Sequence, residues 1–402
     1  MKSKIVYLSP KAKLLFGLQS WLKSPFEKRG PIFIILFPFL FLLSWLIYLI
    51  PQILKKLRFP RKSSQNCYLL GIGNLEWGGG GKSPFVLWLC RYQEKLSSGG
   101  ILSRGYPLNN KVIANHESHP FYPNSQSIDQ DLNDENKEFF RSLKKTIVFQ
   151  FPRKKEILKE TLPSWIIVDD AWQTHGLTCD GFFLLLNPDH LLKTPDYGFP
   201  LGYYRNTFGL KSLETQINRN SLVGRIWSRI PQKDLSLLSQ FKDKLLKCSQ
   251  KYHFKLSLDK DFIVTYKQKY VSSLDLKDDI YASPDVSLES KELSSAAILT
   301  GIANPHAFLK GIETDFPQSS FTLYALEDHA PHVPLEFFVQ EHSSIIITSK
   351  DYFRWNHLPF FKVLEKRTNI FISLLNIDVV DLEGEIITPS RLLSSLPGFS
   401  IS

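Results

Sequence analysis

Cysteine is scarce and unpatterned: Cys67, Cys90, Cys179 and Cys248 are scattered through 402 residues with no Cys-x-x-Cys pair. That spacing excludes a zinc ribbon and a disulfide framework, and predicts solitary, buried, reduced thiols in a cytosolic compartment. Acidic residues are nearly missing from the first 30 positions, where Lys2, Lys4, Lys11, Lys13, Lys23, Lys28 and Arg29 face Glu27 alone. Charge of either sign is missing from the next 20 residues, Pro31–Ile50. An uncharged run of that length is enough to cross a bilayer. It starts too late for a signal peptide and lacks a small-residue cleavage site. No internal repeat is present, and there is no Asn-Lys-x-Asp guanine motif, which counts against a GTPase.

Basic residues continue after the apolar run with Lys55, Lys56, Arg58, Arg61 and Lys62. A single span would leave one basic flank outside, against the positive-inside tendency, and Pro38 interrupts a straight helix. The expectation is a segment embedded in the cytoplasmic leaflet, its basic flanks drawn to anionic lipid. The whole chain carries 49 Lys and Arg against 39 Asp and Glu, a net charge of +10. Because that excess gathers around the apolar segment and not among exposed aromatics, a nucleic-acid partner is not expected.

Chemistry is concentrated in Gly73-Asn74-Leu75-Glu76-Trp77-Gly78-Gly79-Gly80-Gly81-Lys82-Ser83-Pro84. Consecutive glycines weaken helices and strands but suit a backbone that turns sharply and approaches a ligand. An apolar strand-like stretch, 68–72, precedes the run and a helix-forming stretch follows it. Strand, glycine loop, Lys-Ser and helix make a phosphate-binding loop, although Glu76 stands where the strict motif has its first glycine. Backbone N–H groups would cradle the phosphates, Lys82 would add charge, and Ser83 could hold Mg²⁺. Pro84 fits a first helical turn. Trp165-Ile166-Ile167-Val168-Asp169-Asp170 has the form of a Walker B strand that meets the metal at its carboxyl end.

Further apolar segments at 101–103, 145–151, 181–187, 296–302, 321–326, 344–348 and 369–377 read as strands. Helices are expected at 153–160, 235–252, 305–312 and 334–340, a loop over most of 107–138, and loop-like chain from 190 to 225. Strands alternating with helices predict an α/β protein with parallel sheets. The expected plan is a membrane-associated segment (1–62), a P-loop NTPase-like layered α/β/α domain (63–225) and a second α/β domain (226–402).

These motifs resemble the tetraacyldisaccharide 4'-kinase family of lipid A synthesis. Gly73 to Pro84 is similar to that family's loop, Gly-Asn-x-x-x-Gly-Gly-x-Gly-Lys-[Thr/Ser]-Pro. Ser103-Arg104-Gly105-Tyr106 matches its Ser-Arg-Gly-Tyr. Asp169 to His175 resembles Asp-Asp-Gly-Phe-Gln-His, with Ala171 and Trp172 as departures and Thr174 inserted. Asp134-Glu135 resembles Gly-Asp-Glu-Pro, flanked here by Asn133 and Asn136. Pro200 to Asn206 resembles Leu-Pro-Ala-Gly-x-Leu-Arg-Glu, with Asn206 in place of the acid. Gly301 to Pro305, Asp328-His329 and Thr348 to Asp351 echo Gly-Ile-x-Asn-Pro, Asp-His and Thr-Glu-Lys-Asp.

The resemblance implies transfer of the γ-phosphate of ATP to the 4'-hydroxyl of a tetraacylated disaccharide 1-phosphate. It implies ATP bound by Gly73, Asn74, Trp77, Gly78, Gly79, Gly80, Gly81, Lys82, Ser83 and Pro84, with Mg²⁺ at Ser83, Asp169 and Asp170. Asp134 would accept the hydroxyl proton, His329 would tune it, and Arg205 would stabilise phosphate charge. The implied partners are an acylated disaccharide lipid and the cytoplasmic leaflet of the inner membrane, with the active site facing the cytoplasm. Two other readings share the loop and the anchor: a membrane-attached ATPase switch, and a nucleotide-binding scaffold without catalysis.

Overall fold

The computed structural model describes residues 3–57, 67–76, 81–104, 120–121, 132–151, 153–159, 161–174, 177–204, 209–219, 221–231, 238–276, 280–283, 285, 296–328, 330, 333, 344–394, 396 and 399. The strands are β1 (Lys4–Tyr7), β2 (Tyr68–Asn74), β3 (Gly100–Arg104), β4 (Pro120–Phe121), β5 (Ile147–Phe151), β6 (Trp165–Val168), β7 (Gly181–Leu186), β8 (Leu222–Pro231) and β9 (Asp261–Ser272), followed by β10 (Ala297–Thr300), β11 (Thr322–Ala325), β12 (Ser344–Thr348), β13 (Asn369–Val380) and β14 (Ile386–Ile387). The helices are α1 (Pro10–Lys23), α2 (Pro31–Leu57), α3 (Lys82–Gln93), α4 (Asp134–Ser142), α5 (Pro188–Lys193), α6 (Leu210–Ile217) and α7 (Leu238–Lys251), then α8 (Pro305–Asp315), α9 (Ser349–Trp355), α10 (Pro359–Glu365) and α11 (Pro389–Leu393).

The strands form one continuous sheet in the order β1-β11-β10-β12-β13-β9-β8-β7-β2-β6-β3-β5-β4, with β14 beside β13. β2, β3, β5, β6, β7 and β8 run parallel in one half, and β1, β10, β11 and β12 run parallel in the other, as the alternating pattern predicts. Alternate residues serve opposite faces, and both faces are covered. Leu69, Val168 and Leu184 enter one core, while Leu70, Ile167 and Phe183 enter another with Phe85 and Leu89 of α3. Ile345 and Ile347 are separated from Ile346 in the same way in the second half. Both halves are therefore layered α/β/α.

The two halves meet at the antiparallel pair β9–β13, whose ten register positions run from Phe371↔Ser272 to Val380↔Ile263. β8 lies along the beginning of β9, ending at Pro231↔Tyr266, and β12 lies along the beginning of β13, ending at Thr348↔Ser373. The carboxyl ends of the two parallel half-sheets therefore point at each other across the middle of this ribbon. Carboxyl ends of parallel strands are where α/β folds bind ligands. Residue 225, the expected domain boundary, falls inside β8.

Arg225 fixes the start of the ribbon. Its Nε and Nη2 each donate to a carboxylate oxygen of fully buried Asp261 at 2.7 Å, and its guanidinium covers the Phe254 ring. Trp227 Nε1 at 2.9 Å and Ser257 N at 2.8 Å complete the shell around that carboxylate. Removing one partner of such a pair strands a buried charge, so Asp261→Ala is expected to lose about 3–5 kcal/mol of stability. Urea unfolding measures this, and a loss below about 1 kcal/mol, the range of an exposed pair, would refute it.

Several local expectations need adjusting. The 153–160 helix is a 3₁₀ segment, Lys154–Lys159, with Lys154 and Ile157 buried. The 190–225 stretch holds the end of α5, the start of β8 and all of α6, which buries Leu213 and Ile217. The basic leader holds a strand, β1, and an α-helix, α1, which opens with Ser9 accepting from Ala12 N. α2 runs unbroken through Pro38 and Pro51. The helix expected at 334–340 lies outside the described residues. All four cysteines are buried free thiols, as expected, and burial pushes Cys67, Cys179 and Cys248 up to about 12.

Candidate active site

The phosphate loop leaves β2 after Asn74, and the chain enters α3 through Gly81, whose φ of 76° is a left-handed conformation that glycine adopts without a Cβ penalty. Lys82, Ser83 and Pro84 form the first turn of α3, so Pro84 gives up no needed N–H. Lys82 Nζ donates to Asn74 Oδ1 at 3.1 Å and lies 3.3 Å from Asp170 Oδ1. One ammonium thus ties the beginning of the loop to the end of β6. Gly73 has a packing reason as well: a Cβ there would come within 2.7 Å of Trp172 Cβ.

Asp169 and Asp170 follow β6 directly, as expected. Asp170 adopts φ 48°, ψ 44°, which turns the chain sharply at the sheet edge. Lys154 secures that turn by donating to the carbonyl oxygens of both residues, that of Asp170 at 3.1 Å. Burial lowers the pKa of Lys154. Burial, with the nearby Glu135 carboxylate adding to it, pushes Asp169 up to about 6, against the opposing charges of Lys82 and Lys154. Asp169 Oδ1 is buried and has no hydrogen-bond partner among the described residues.

The second half supplies the facing wall. Lys350, at the start of α9, pairs with Glu135 of α4, and Ser83 Oγ donates to the same Glu135 Oε1 at 3.3 Å. One turn on, Glu138 is buried and accepts from Ser349 Oγ at 2.6 Å and Tyr281 OH at 3.0 Å. Burial raises its pKa despite those two donors. The cavity enclosed by these groups holds about 310 Å³. Gly81, Lys82, Ser83, Asp169 and Asp170 line one side, Asn304, Asp328 and Lys350 the other, and Gln268 and Leu375 of the ribbon lie between.

The structure thus brings together Asn74, Gly81, Lys82, Ser83, Pro84, Asp169 and Asp170. Asp134 is the first residue of α4, capped by Asn133 accepting from Asn136 N. The Asp134 side chain, His329, Arg205 with Asn206, Trp77 and Gly78–Gly80 lie outside the described residues. Glu138, Lys154 and Lys350 carry no signal in the sequence that assigns them a role. Only Lys350 stood in a motif, and its meeting with Glu135 joins residues 215 positions apart. Glu76, the departure from the strict loop motif, is buried and pairs with His190 Nδ1 of α5 at 2.5 Å.

The oxygen set is suited to a hard divalent cation. Ser83 Oγ, both Walker B carboxylates and the unpartnered Asp169 Oδ1 fit Mg²⁺, which takes one or two carboxylates and completes its shell with water and phosphate oxygens. An all-protein cage is a different arrangement, and no group of three or more His, Cys, Asp or Glu of that kind occurs among the described residues.

A model of the tetraacyldisaccharide-1-P 4'-kinase family matches residues 32–383. The tetraacyldisaccharide 4'-kinase of Flavobacterium johnsoniae is 26% identical over 332 residues, 80% of this chain and 86% of that protein. That of Bacteroides thetaiotaomicron is 24% identical over 382 residues, 88% of this chain and 91% of its own length. Among solved structures, the Aquifex aeolicus member, crystallised in complex with ATP, superposes with a TM-score of 0.56 at 19% identity. The match covers 88% of this chain and 96% of the other, and shows the same fold. The family match spans most of the chain and takes in the glycine loop, the Walker B strand and the facing wall of the cleft, and on that ground the chain belongs to the tetraacyldisaccharide-1-P 4'-kinase family.

Proposed function

We propose that this chain transfers the γ-phosphate of ATP to the 4'-hydroxyl of a tetraacyldisaccharide 1-phosphate at the cytoplasmic face of the inner membrane. One observation carries the reading: a phosphate loop and two Walker B carboxylates face a wall of the second half across a single cleft. Phosphoryl transfer asks a protein for alignment and charge neutralisation more than for covalent chemistry. Gly73, Asn74, Trp77 and Gly78–Gly81 cradle the phosphates, and Lys82 neutralises the β/γ oxygens. Ser83, Asp169 and Asp170 hold Mg²⁺, which when bound draws charge from the transferring phosphoryl group. The 63–225 part supplies these groups and the 226–402 part closes over them.

Asp134 accepts the proton of the attacking hydroxyl, with His329 tuning its basicity and Arg205 steadying phosphate charge. Support for Asp134 is its place at the head of α4, the helix whose Glu135 and Glu138 already reach the loop serine and the facing wall.

Membrane seating follows from α2. Its Pro31–Ile50 window has a mean hydropathy of 2.6 and is only 11% buried. Ser44, near the middle of α2, donates to Gly198 O of the soluble body at 3.2 Å. A helix crossing the bilayer at its midpoint would take that loop into the hydrocarbon, so the contact supports a helix lying in one leaflet. The test is transfer from γ-labelled ATP to the purified disaccharide lipid in detergent micelles. Transfer is expected with the wild type and is expected to be lost with Asp134→Ala. No transfer by folded, ATP-binding wild type would overturn the proposal.

A further inference from the structure

The family match begins at residue 32, so β1 and α1 lie ahead of it. They are nevertheless built into both halves of the molecule. β1 extends β11 at the outer edge of the second half, in register from Lys4↔Thr322 to Tyr7↔Ala325. Ala12 and Phe16 of α1 pack with Ala325, and Lys11 reaches Glu327 at 2.6 Å. The Tyr7 hydroxyl lies 3.2 Å from His306 Nε2, and Phe16 meets that imidazole edge-on.

The other end of α1 belongs to the P-loop half. Lys23 lies 4.3 Å over the Tyr203 ring, Phe26 stacks on Tyr197, and Arg29 donates to Leu201 O from among the rings of Trp21, Phe26 and Phe33. α1 and the short turn that follows it therefore fasten the two halves to each other.

The remaining face of α1 is apolar and uncovered. Leu14 and Leu18, on the side opposite Ala12 and Phe16, are 72% and 40% exposed, and Leu15, on the flank between, is 37% exposed. A single exposed leucine is ordinary, but α2, which follows closely in the chain, carries apolar residues of the same kind: Ile32, Ile34, Ile35 and Phe39 are 64–78% exposed. Trp21 and Phe33, in contact at 5.5 Å, join the two helices. Lys13 is exposed on the flank of α1, and Lys28 is exposed in the turn between the two helices. Apolar stripe and basic border together are the pattern of a helix lying in an anionic lipid surface.

We propose that α1 lies in the same lipid surface as α2 and seats the second half of the protein on an anionic bilayer. This rests on the membrane reading of α2. Both rims of the cleft are then held at one membrane depth, and a lipid headgroup meets both halves at once. The four native thiols are buried and take no label, so cysteines placed one at a time by Leu18→Cys, Ile35→Cys and Lys247→Cys can each carry an environment-sensitive fluorophore. The full chain is mixed with phosphatidylethanolamine–phosphatidylglycerol vesicles containing a spin-labelled acyl chain. Labels at 18 and 35 are expected to shift to the blue and lose most of their emission, while the label at 247 does neither. A label at 18 that stays in water while that at 35 is quenched overturns the proposal and leaves α2 seated. Both labels staying in water overturns both. A blue shift at 18 that follows protein concentration without vesicles means that a second copy covers this face, which also overturns it.

Discussion

Lys82→Ala is expected to slow phosphoryl transfer by about 10²–10³-fold, the usual effect of removing one preorganised charge from a transition state. The lysine has two tasks that the variant separates. In the proposed reaction it neutralises phosphate oxygens of ATP. Within the protein it ties Asn74 to Asp170 at 3.1 and 3.3 Å, so the loop and the Walker B turn keep their spacing before ligand arrives. Its ammonium also holds down the Asp169 pKa, and without it that carboxyl rises further. The acidic limb of the variant's residual activity should therefore move to higher pH than the wild type's. Steady-state transfer across pH 5–9 reads both effects; a rate within about threefold of wild type would remove Lys82 from the chemistry, since a lost transition-state contact of this kind is larger.

Asp169→Asn is expected to have effects of opposite sign on activity and stability. In the proposed site this carboxylate is one of two that would hold Mg²⁺, so transfer should fall by about 10²-fold or more. Stability of the ligand-free protein should rise. The sign follows from proton binding: the unfolded carboxyl ionises near 3.8 and the folded one near 6. Between those values the folded state binds more protons than the unfolded state, so wild-type stability falls as pH rises through that window and stays lower above it. The ceiling for a shift of about two units is about 3 kcal/mol. Urea unfolding without nucleotide or metal should show the variant more stable than wild type at pH 8 and level with it near pH 4. Equal pH slopes in the two proteins would show that burial of this carboxylate is not what raises its pKa.

These two residues belong to the part of the site that was legible in sequence. A glycine run ending in Lys-Ser and a strand ending in two aspartates each carry their meaning locally. The fold class was legible for a related reason, since runs such as Trp165–Val168 and Gly181–Leu186 bury both faces of a parallel sheet and contain almost nothing but apolar residues. What was not legible depends on partners far away in the chain. Glu138 looks like a surface acid in a polar helix until Ser349 and Tyr281 meet it. Lys154 looks like one of several exposed lysines, but a 3₁₀ turn directs it at the Asp169 and Asp170 carbonyls. No local signal shows that β9 and β13 pair with each other and carry the floor of the cleft. β1 lies in a leader whose charges suggested only lipid; Ile5, Val6 and Tyr7 favour extended chain, but so short a segment gains its ladder of hydrogen bonds only beside β11.

That neighbour sets an order of events during synthesis. Ser3 Oγ accepts from Phe321 N across 318 positions of sequence, and among the described residues β1 has no other strand beside it. At ordinary elongation rates, roughly 15 to 60 s separate the emergence of β1 from that of β11. α2 leaves the ribosome within that interval, long before the cleft exists, and its apolar surface has no protein to cover it. With α2 seated in lipid as proposed, the nascent chain would reach the membrane first and complete its sheet afterwards, the earliest strand made being among the last to find its place.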